Sequence, residues 1–250
     1  FIVFAAIEYF FPRRVVAKRK ARRWLTNWSV SVFNVLTLRL FSLALPLLAI
    51  GAAFDAQNLG IGLFNQIGFS VWIEIIMVIL ILDFCIWLQH LLTHKIEFLW
   101  RIHRVHHSDT EMDISTAIRF HPIEIALSMA LKIGLVYILG ADPLSVLIFE
   151  ILLNGSSIFN HANINIPNRF DKILRFLIET PDMHRIHHSS DRIEHDTNFG
   201  FALSIWDHMF RTYKLRPERN HKEMEIGLNW QDEKPEKLGW SLSLPFKKNG

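Results

Sequence analysis

The chain has 250 residues, half of them hydrophobic, and a mean hydropathy of +0.21, which is high for a water-soluble protein. That length suits one domain or one compact membrane unit, and a single cysteine, Cys85, excludes an intrachain disulfide or a cysteine-based zinc site. Net charge is only +3 although the pI is near 9.1, so the basicity is local. Arg13, Arg14, Lys18, Arg19, Lys20, Arg22 and Arg23 make a basic run between two apolar segments. A nucleic-acid patch would look similar, but the flanks favour a cytoplasmic loop beside a membrane, and no nucleic-acid partner is expected.

In chain order, Phe1 to Phe11 is apolar apart from Glu8 and stops at Pro12. It is shorter than the roughly 20 residues a membrane span needs. It reads as the end of a truncated span or as an interfacial helix, and the natural start is expected upstream of Phe1. Trp24 to Phe54 is long enough to span, with Trp24 and Trp28 as interface anchors. Arg39 near its middle predicts either that Arg39 faces the protein interior or that the segment kinks near Pro46. Residues 55–70 read as a far-side connector.

Val71 to Leu92 is the strongest span, about 33 Å at 1.5 Å per residue. Glu74 sits at its far-side end. Asp83 lies deeper, two turns before His90, as either a partner of that histidine or an interior carboxylate bonded to a neighbouring helix. Residues 95–119 are polar and histidine-rich, outside the bilayer. His121-Pro122 opens a new helix. Ile123 to Leu139 and Leu144 to Phe159 form an apolar hairpin around Gly140-Ala141-Asp142-Pro143. Each arm is short and carries one charge, Lys132 or Glu150, which allows a partial, deep insertion. Residues 166–213 are amphipathic, and the end of the chain is polar. The expected fold is all-α: an integral membrane bundle of about four embedded helices with a cytosolic helical cap. One catalytic domain is expected over 1–215, followed by a polar tail over 216–250.

The histidines carry the functional signal. His90 and His94 form an HxxxH pair, and the HxxHH spacing occurs twice, as His103, His106, His107 and as His184, His187, His188. Positions i, i+3 and i+4 share one helix face, so each cluster is expected to aim its imidazoles at one place. With the basic loop cytoplasmic, the order of spans brings all three groups, and His161 at the hairpin's return, to the cytoplasmic face. Eight or more imidazoles exceed the roughly four to six ligands of one divalent ion and point to two metals. Zn, Cu, Fe and Ni all accept imidazole, but redox work on a lipid at a membrane surface favours iron with dioxygen. Zinc is expected only as a substitute in purified material. The Glu-x-x-His pattern of carboxylate-rich di-iron bundles is not repeated here. Ligating imidazoles usually give their other N–H to a carboxylate or carbonyl. Asp182 and Asp196 are the favoured partners, with Asp83, Asn160, His195 and Asp207 as further ones. His121 reads as a helix start or as such a partner, and His221 as exposed. The competing class is a metal-ion transporter or a metal-binding membrane protein without oxidase chemistry. Transporters hold ionisable ligands at mid-membrane, whereas these clusters lie at span ends.

The order of motifs resembles the fatty acid hydroxylase/sterol desaturase superfamily of integral membrane enzymes. The matching elements are Asp83-Phe84 before His90 and His94, Leu99-Trp100 before His103, His106, His107 and Ser108, and Arg119-Phe120-His121-Pro122. They continue with Asn160-His161-Ala162-Asn163-Ile164, Pro181 before His184, His187 and His188, and Asp196-x-Asn198-Phe199-Gly200 leading to Trp206-Asp207. The resemblance implies two non-haem irons held by the eight cluster histidines and His161. It also implies O2-dependent hydroxylation or desaturation of a lipid, with electrons from a separate protein of cytochrome, ferredoxin or flavin reductase type. Two departures stand out. Ser156 and Ser157 occupy a region where some relatives have a further histidine, which implies that water, held by Asn160, completes one metal. The familiar Phe-Gly-Thr-aromatic ending is here Phe210-Arg211-Thr212-Tyr213.

Overall fold

The computed structural model describes residues 1–15, 20–44, 48–230 and 234–248; Lys18, Arg19 and Pro46 lie outside the described residues. In chain order the helices are α1 (Ile2–Phe10), α2 (Lys20–Ala44), α3 (Leu48–Leu59), α4 (Leu63–Ile67), α5 (Val71–Lys95) and α6 (Glu97–His107). They continue with α7 (Pro122–Leu139), α8 (Pro143–His161), α9 (Asn168–Leu174), α10 (Pro181–His187), α11 (Arg192–His195), α12 (Ile205–Phe210) and α13 (Leu238–Ser243). Among the described residues there is no strand, only isolated bridges such as Pro12 with Ile164.

Four helical stretches are long and apolar enough to cross a membrane: the one that begins with α2, then α5, α7 and α8. Their leucines and isoleucines are both inside and outside. Val78, Leu82 and Ile86 of α5 pack on Met129, Ile133 and Val136 of α7 and on Val146 and Phe149 of α8. Ile76, Leu80, Leu88, Leu127, Leu131, Leu147 and Ile151 are exposed. A helix apolar all round belongs in lipid, because water would penalise its outer face. This is a membrane protein. Ala49, Ala52, Ala53 and Ala56 of α3 are buried, and small side chains allow the close approach of α3 to α7 and α8.

The hairpin is built by local chemistry. His121 caps α7, its Nδ1 accepting from Ile123 N at 3.2 Å, and Asp142 caps α8, accepting from Leu144 N at 2.8 Å. Pro122 and Pro143 stand in the two first turns. Gly140 ends α7 with φ +65°, and a Cβ there would lie 2.6 Å from the Ile61 carbonyl, so glycine is required on both grounds. The two charges in the hairpin face each other: Lys132 Nζ lies 2.6 Å from Glu150 Oε1. Both arms therefore run at full length, Pro122–Leu139 and Pro143–His161.

Trp24 to Phe54 is carried by α2 up to Ala44 and by α3 from Leu48, and the expected kink near Pro46 lies outside the described residues. One expectation changes. Arg39 is exposed, not interior; it lies in the last turns of α2, where a long side chain can reach toward the membrane surface. The basic loop is also partly consumed by the fold. Arg13 bonds Asn165 and Asp182, Arg14 reaches the carbonyls of His221 and Met224, and buried Arg23 pairs with Asp109 and Asp113.

The residues after 215 pack back on the helices. Arg119 is fully buried and donates to Val105 O, Asn27 Oδ1, Ser108 Oγ, Pro235 O and Ser241 Oγ, at 2.6 to 3.0 Å. One guanidinium thus ties α6, α2 and the C-terminal segment together, a task its planar fork of donors suits.

Candidate metal centre

Nine histidines converge from α5 (His90, His94), α6 (His103, His106, His107), the last turn of α8 (His161), and α10 with its cap (His184, His187, His188). None is more than 3% exposed. Their nitrogens form two groups, each with ligand atoms within 4.8 Å of one another. His90, His94, His103, His107 and His187 make one, and His106, His161, His184 and His188 the other. The groups abut, with the rings of His107 and His188 stacked at 4.5 Å.

Each HxxHH cluster is therefore divided, not aimed at one place. His103 and His107 serve the first group and His106 the second; His184 and His188 serve the second and His187 the first. With 3.6 residues per turn, i+4 leads i by about 40° while i+3 trails it by about 60°. The middle histidine of each cluster, His106 or His187, leans to the other side, and the two clusters interlock.

The tautomers follow from fixed acceptors. His90 Nδ1 lies 2.7 Å from Phe199 O, His161 Nδ1 2.7 Å from Ser157 O, and His187 Nδ1 2.8 Å from Thr197 O. A carbonyl only accepts, so in each of these rings the proton sits on Nδ1 and Nε2 is bare. His103 Nδ1 is held likewise by Glu124 Oε1 at 2.6 Å. The Nε2 atoms then crowd together: His90 to His103 at 3.2 Å, His161 to His106 at 3.0 Å and His161 to His184 at 3.0 Å. Lone pairs that close repel unless a cation or a proton lies between them. Burial first, and neighbouring imidazoles second, hold His106, His107, His184 and His188 well below the ordinary histidine range, which disfavours the proton. Nε2 of His94, His107, His187 and His188 has no hydrogen-bond partner. Buried neutral imidazoles with converging bare nitrogens fit two transition-metal ions.

The outer partners differ from those expected. Glu124 and Glu179 were missed. Glu124 orients His103; Glu179 is fully buried, with Oε1 3.9 Å from His184 Nδ1 and no hydrogen-bond partner on either oxygen. Burial, then Asp207, pushes the Glu179 carboxyl well above its usual range. A signal for Glu124 existed, since a carboxylate opening an apolar helix demands a reason; none pointed to Glu179. Asp196 lies 3.5 Å from His94 Nδ1 and pairs with Lys95 at 2.8 Å. His195 stacks on Trp100 at 5.0 Å, and Trp100 touches His94 at the same separation.

Asp83 and Asp207 touch no cluster histidine. Asp83 accepts from Trp206 Nε1 at 2.8 Å and Leu203 N at 3.3 Å, so the interior-carboxylate reading is the one realised. Asp207 accepts from Trp87 Nε1, Phe199 N, Gly200 N and Thr212 Oγ1 at 2.5 to 3.1 Å. Together they pin the loop that presents Phe199 O to His90. The same loop gives Phe201 O to Asn160 Nδ2 at 3.0 Å, leaving Asn160 Oδ1 unpartnered beside His161. Asp182 pairs with Arg185 and with Arg13 rather than with a cluster histidine. His121 is the α7 cap, and His221 is not exposed: its side chain is 14% accessible and 3.5 Å from Asp182.

A cavity of about 290 Å³ opens among α2, α5, α7 and α8 and reaches His90 and His103. Leu38, Ile86, Ile125, Leu153 and Phe201 supply apolar walls.

Residues 75–212, more than half of the chain, match the family model for fatty acid hydroxylases. The ornithine lipid hydroxylase OlsE of Rhizobium tropici is 30% identical over 61% of this chain and 45% of its own length. The alkylglycerol monooxygenase of Homo sapiens is 29% identical over 55% of this chain and 30% of its own. The cholesterol 25-hydroxylase of Rattus norvegicus is 27% identical over 58% and 48%. The chain thus spans less than half the length of these relatives. No solved structure gives a significant match. With the motifs, the membrane helices and the histidine centre in agreement, the chain belongs to the fatty acid hydroxylase family.

Proposed function

We propose that the protein is an O2-dependent lipid hydroxylase with two iron ions held by the nine buried histidines. The observation that carries this reading is the pairing of two converging groups of bare imidazole nitrogens with a largely apolar cavity between membrane helices that reaches His90 and His103 of the five-histidine group. The five-histidine group would hold one ion. His106, His161, His184 and His188 would hold the other, with room for water beside Asn160 Oδ1. Iron bound there supplies dioxygen activation and attack on an unactivated C–H bond.

The chain's own residues do the rest. Phe199 O, Ser157 O, Thr197 O and Glu124 fix which nitrogen of His90, His161, His187 and His103 is bare. Phe120, stacked on His106 at 4.2 Å, and Phe199 and Phe201, packed against His90, keep water from the site. The walls of α2, α5, α7 and α8 bring a lipid to His90 and His103. Inserting one oxygen atom while the other leaves as water takes two electrons and two protons. We assign the electrons to a separate carrier of cytochrome, ferredoxin or flavin reductase type. The histidine site is placed on the cytoplasmic side, following the basic loop, and residues 1–215 are taken as one catalytic unit. Hydroxylation is favoured over desaturation because the matched relatives named above are hydroxylases or monooxygenases. A transporter is disfavoured, since both histidine groups lie together at one end of the spans.

The test is iron-loaded protein in lipid with a reductant and O2. Consumption of O2 with appearance of a hydroxylated lipid is expected, and loss of both in a His187→Ala variant. Two bound irons without turnover on any lipid class would overturn the reading.

A further inference from the structure

The cavity is not apolar throughout. On α7, Glu124, Ser128 and Lys132 all line it, and their spacing of four residues puts them on one face. On α8, Asn154 and Ser157 line it, on the face that also carries Glu150 and ends at His161. These two polar stripes run from the histidines into the depth of the membrane. They meet at the ion pair of Lys132 with Glu150, 2.6 Å, where Asn154 Nδ2 also donates to Glu150 O at 2.7 Å. Lys132 lies eight residues beyond Glu124 on α7, about 12 Å at 1.5 Å per residue. Asn154 lies seven residues before His161, about 10 Å by the same rise.

An ion pair at this depth is expensive to desolvate, and replacement by apolar residues of similar size is often neutral or stabilising. Helix packing alone therefore gives weak reason for it. Beyond Lys132, α7 continues as Ile133-Gly134-Leu135-Val136, so the α7 stripe has no further polar member in that turn. A water or proton path would need an exit there; a bound polar group would not.

We propose that Lys132, Glu150 and Asn154 form a subsite for a hydroxyl group on the substrate. The cavity then takes a lipid alcohol whose hydroxyl lies roughly 10–12 Å from the carbon held against the histidines. Lys132 Nζ donates to the hydroxyl oxygen, and Asn154 Oδ1 accepts its proton. The spacing selects the oxidised carbon by its distance from the hydroxyl, not from the methyl end. This rests on the lipid-hydroxylase reading for the site but is testable apart from it.

The test uses iron-loaded protein in detergent, with binding read anaerobically and oxidation read after adding reductant and O2, a fluorescent fatty alcohol as reporter, and competing straight-chain primary alcohols and alkanes of matched length. The wild-type protein should bind the alcohol at least about tenfold better than the alkane, a difference of about 1.4 kcal/mol. Asn154→Leu, which keeps the ion pair, and the double variant Lys132→Met/Glu150→Met should bind both alike. Equal binding of alcohol and alkane by the wild type overturns the proposal. So does an alcohol preference that survives in Asn154→Leu and in the double variant. Variants that keep the preference but slow oxidation of every lipid equally would assign the stripe to proton delivery, which also overturns it. Selective binding without turnover would leave the subsite standing and remove the hydroxylase reading.

Discussion

Glu124 accepts the Nδ1 proton of His103 at 2.6 Å, so the first turn of a membrane helix orients a histidine on a helix outside the bilayer. Carboxylates in this position fix the ring and raise its basicity. Glu124→Ala should lower metal affinity about 10- to 100-fold. Metal content after dialysis against a graded chelator checks this, and content equal to wild type would refute it.

Glu179 lies beside the other group, its Oε1 3.9 Å from His184 Nδ1 with no hydrogen bond between them. Glu179→Ala should therefore weaken the four-histidine group preferentially. Bound iron should fall from about two per chain toward one as chelator rises, whereas loss of both ions together would show that the groups do not act separately.

Asp207 satisfies four donors, two of them backbone N–H groups of the loop that reaches His90. Leaving buried donors unpaired costs about 1–3 kcal/mol each. Asp207→Ala should lower stability by at least about 2 kcal/mol, seen as a reduced Tm in detergent. Asp207→Asn keeps an acceptor and should lose less.

The buried histidines make stability pH-dependent. In the unfolded chain they titrate near pH 6.5, while in the fold burial keeps His106, His107, His184, His187 and His188 neutral to lower pH. Between those limits the unfolded chain binds more protons. The contribution is complete above about pH 6.5 and is lost as pH falls. Metal-free protein should begin to unfold by circular dichroism below that pH, and iron-loaded protein only at lower pH. Identical acid transitions with and without metal would contradict the assignment.

Much of this was legible in the sequence because it is periodic or punctuated. Val71 to Leu92, the His121-Pro122 start and the Gly140 to Pro143 turn are local signals, and α5, α7 and α8 follow them. The HxxHH clusters named the histidines, but sequence spacing alone does not reveal how two clusters divide two groups between them. Asp207 reads as a partner of the histidines, and Asp83 as either such a partner or an interior carboxylate; both act one step removed, through a loop whose path depends on tertiary contacts. Lys132 and Glu150 read as separate burdens on two short helices until packing placed them 2.6 Å apart.

Oxygen insertion into a lipid by a two-metal histidine site is tested most directly by isotope. Membranes containing the protein, or its His187→Ala variant, are supplied with reductant under oxygen-18 gas, and their lipids are read by mass spectrometry. One labelled oxygen in a hydroxylated lipid, absent from the variant, is the predicted result. A product carrying oxygen from water, or labelled product undiminished in the variant, would contradict it.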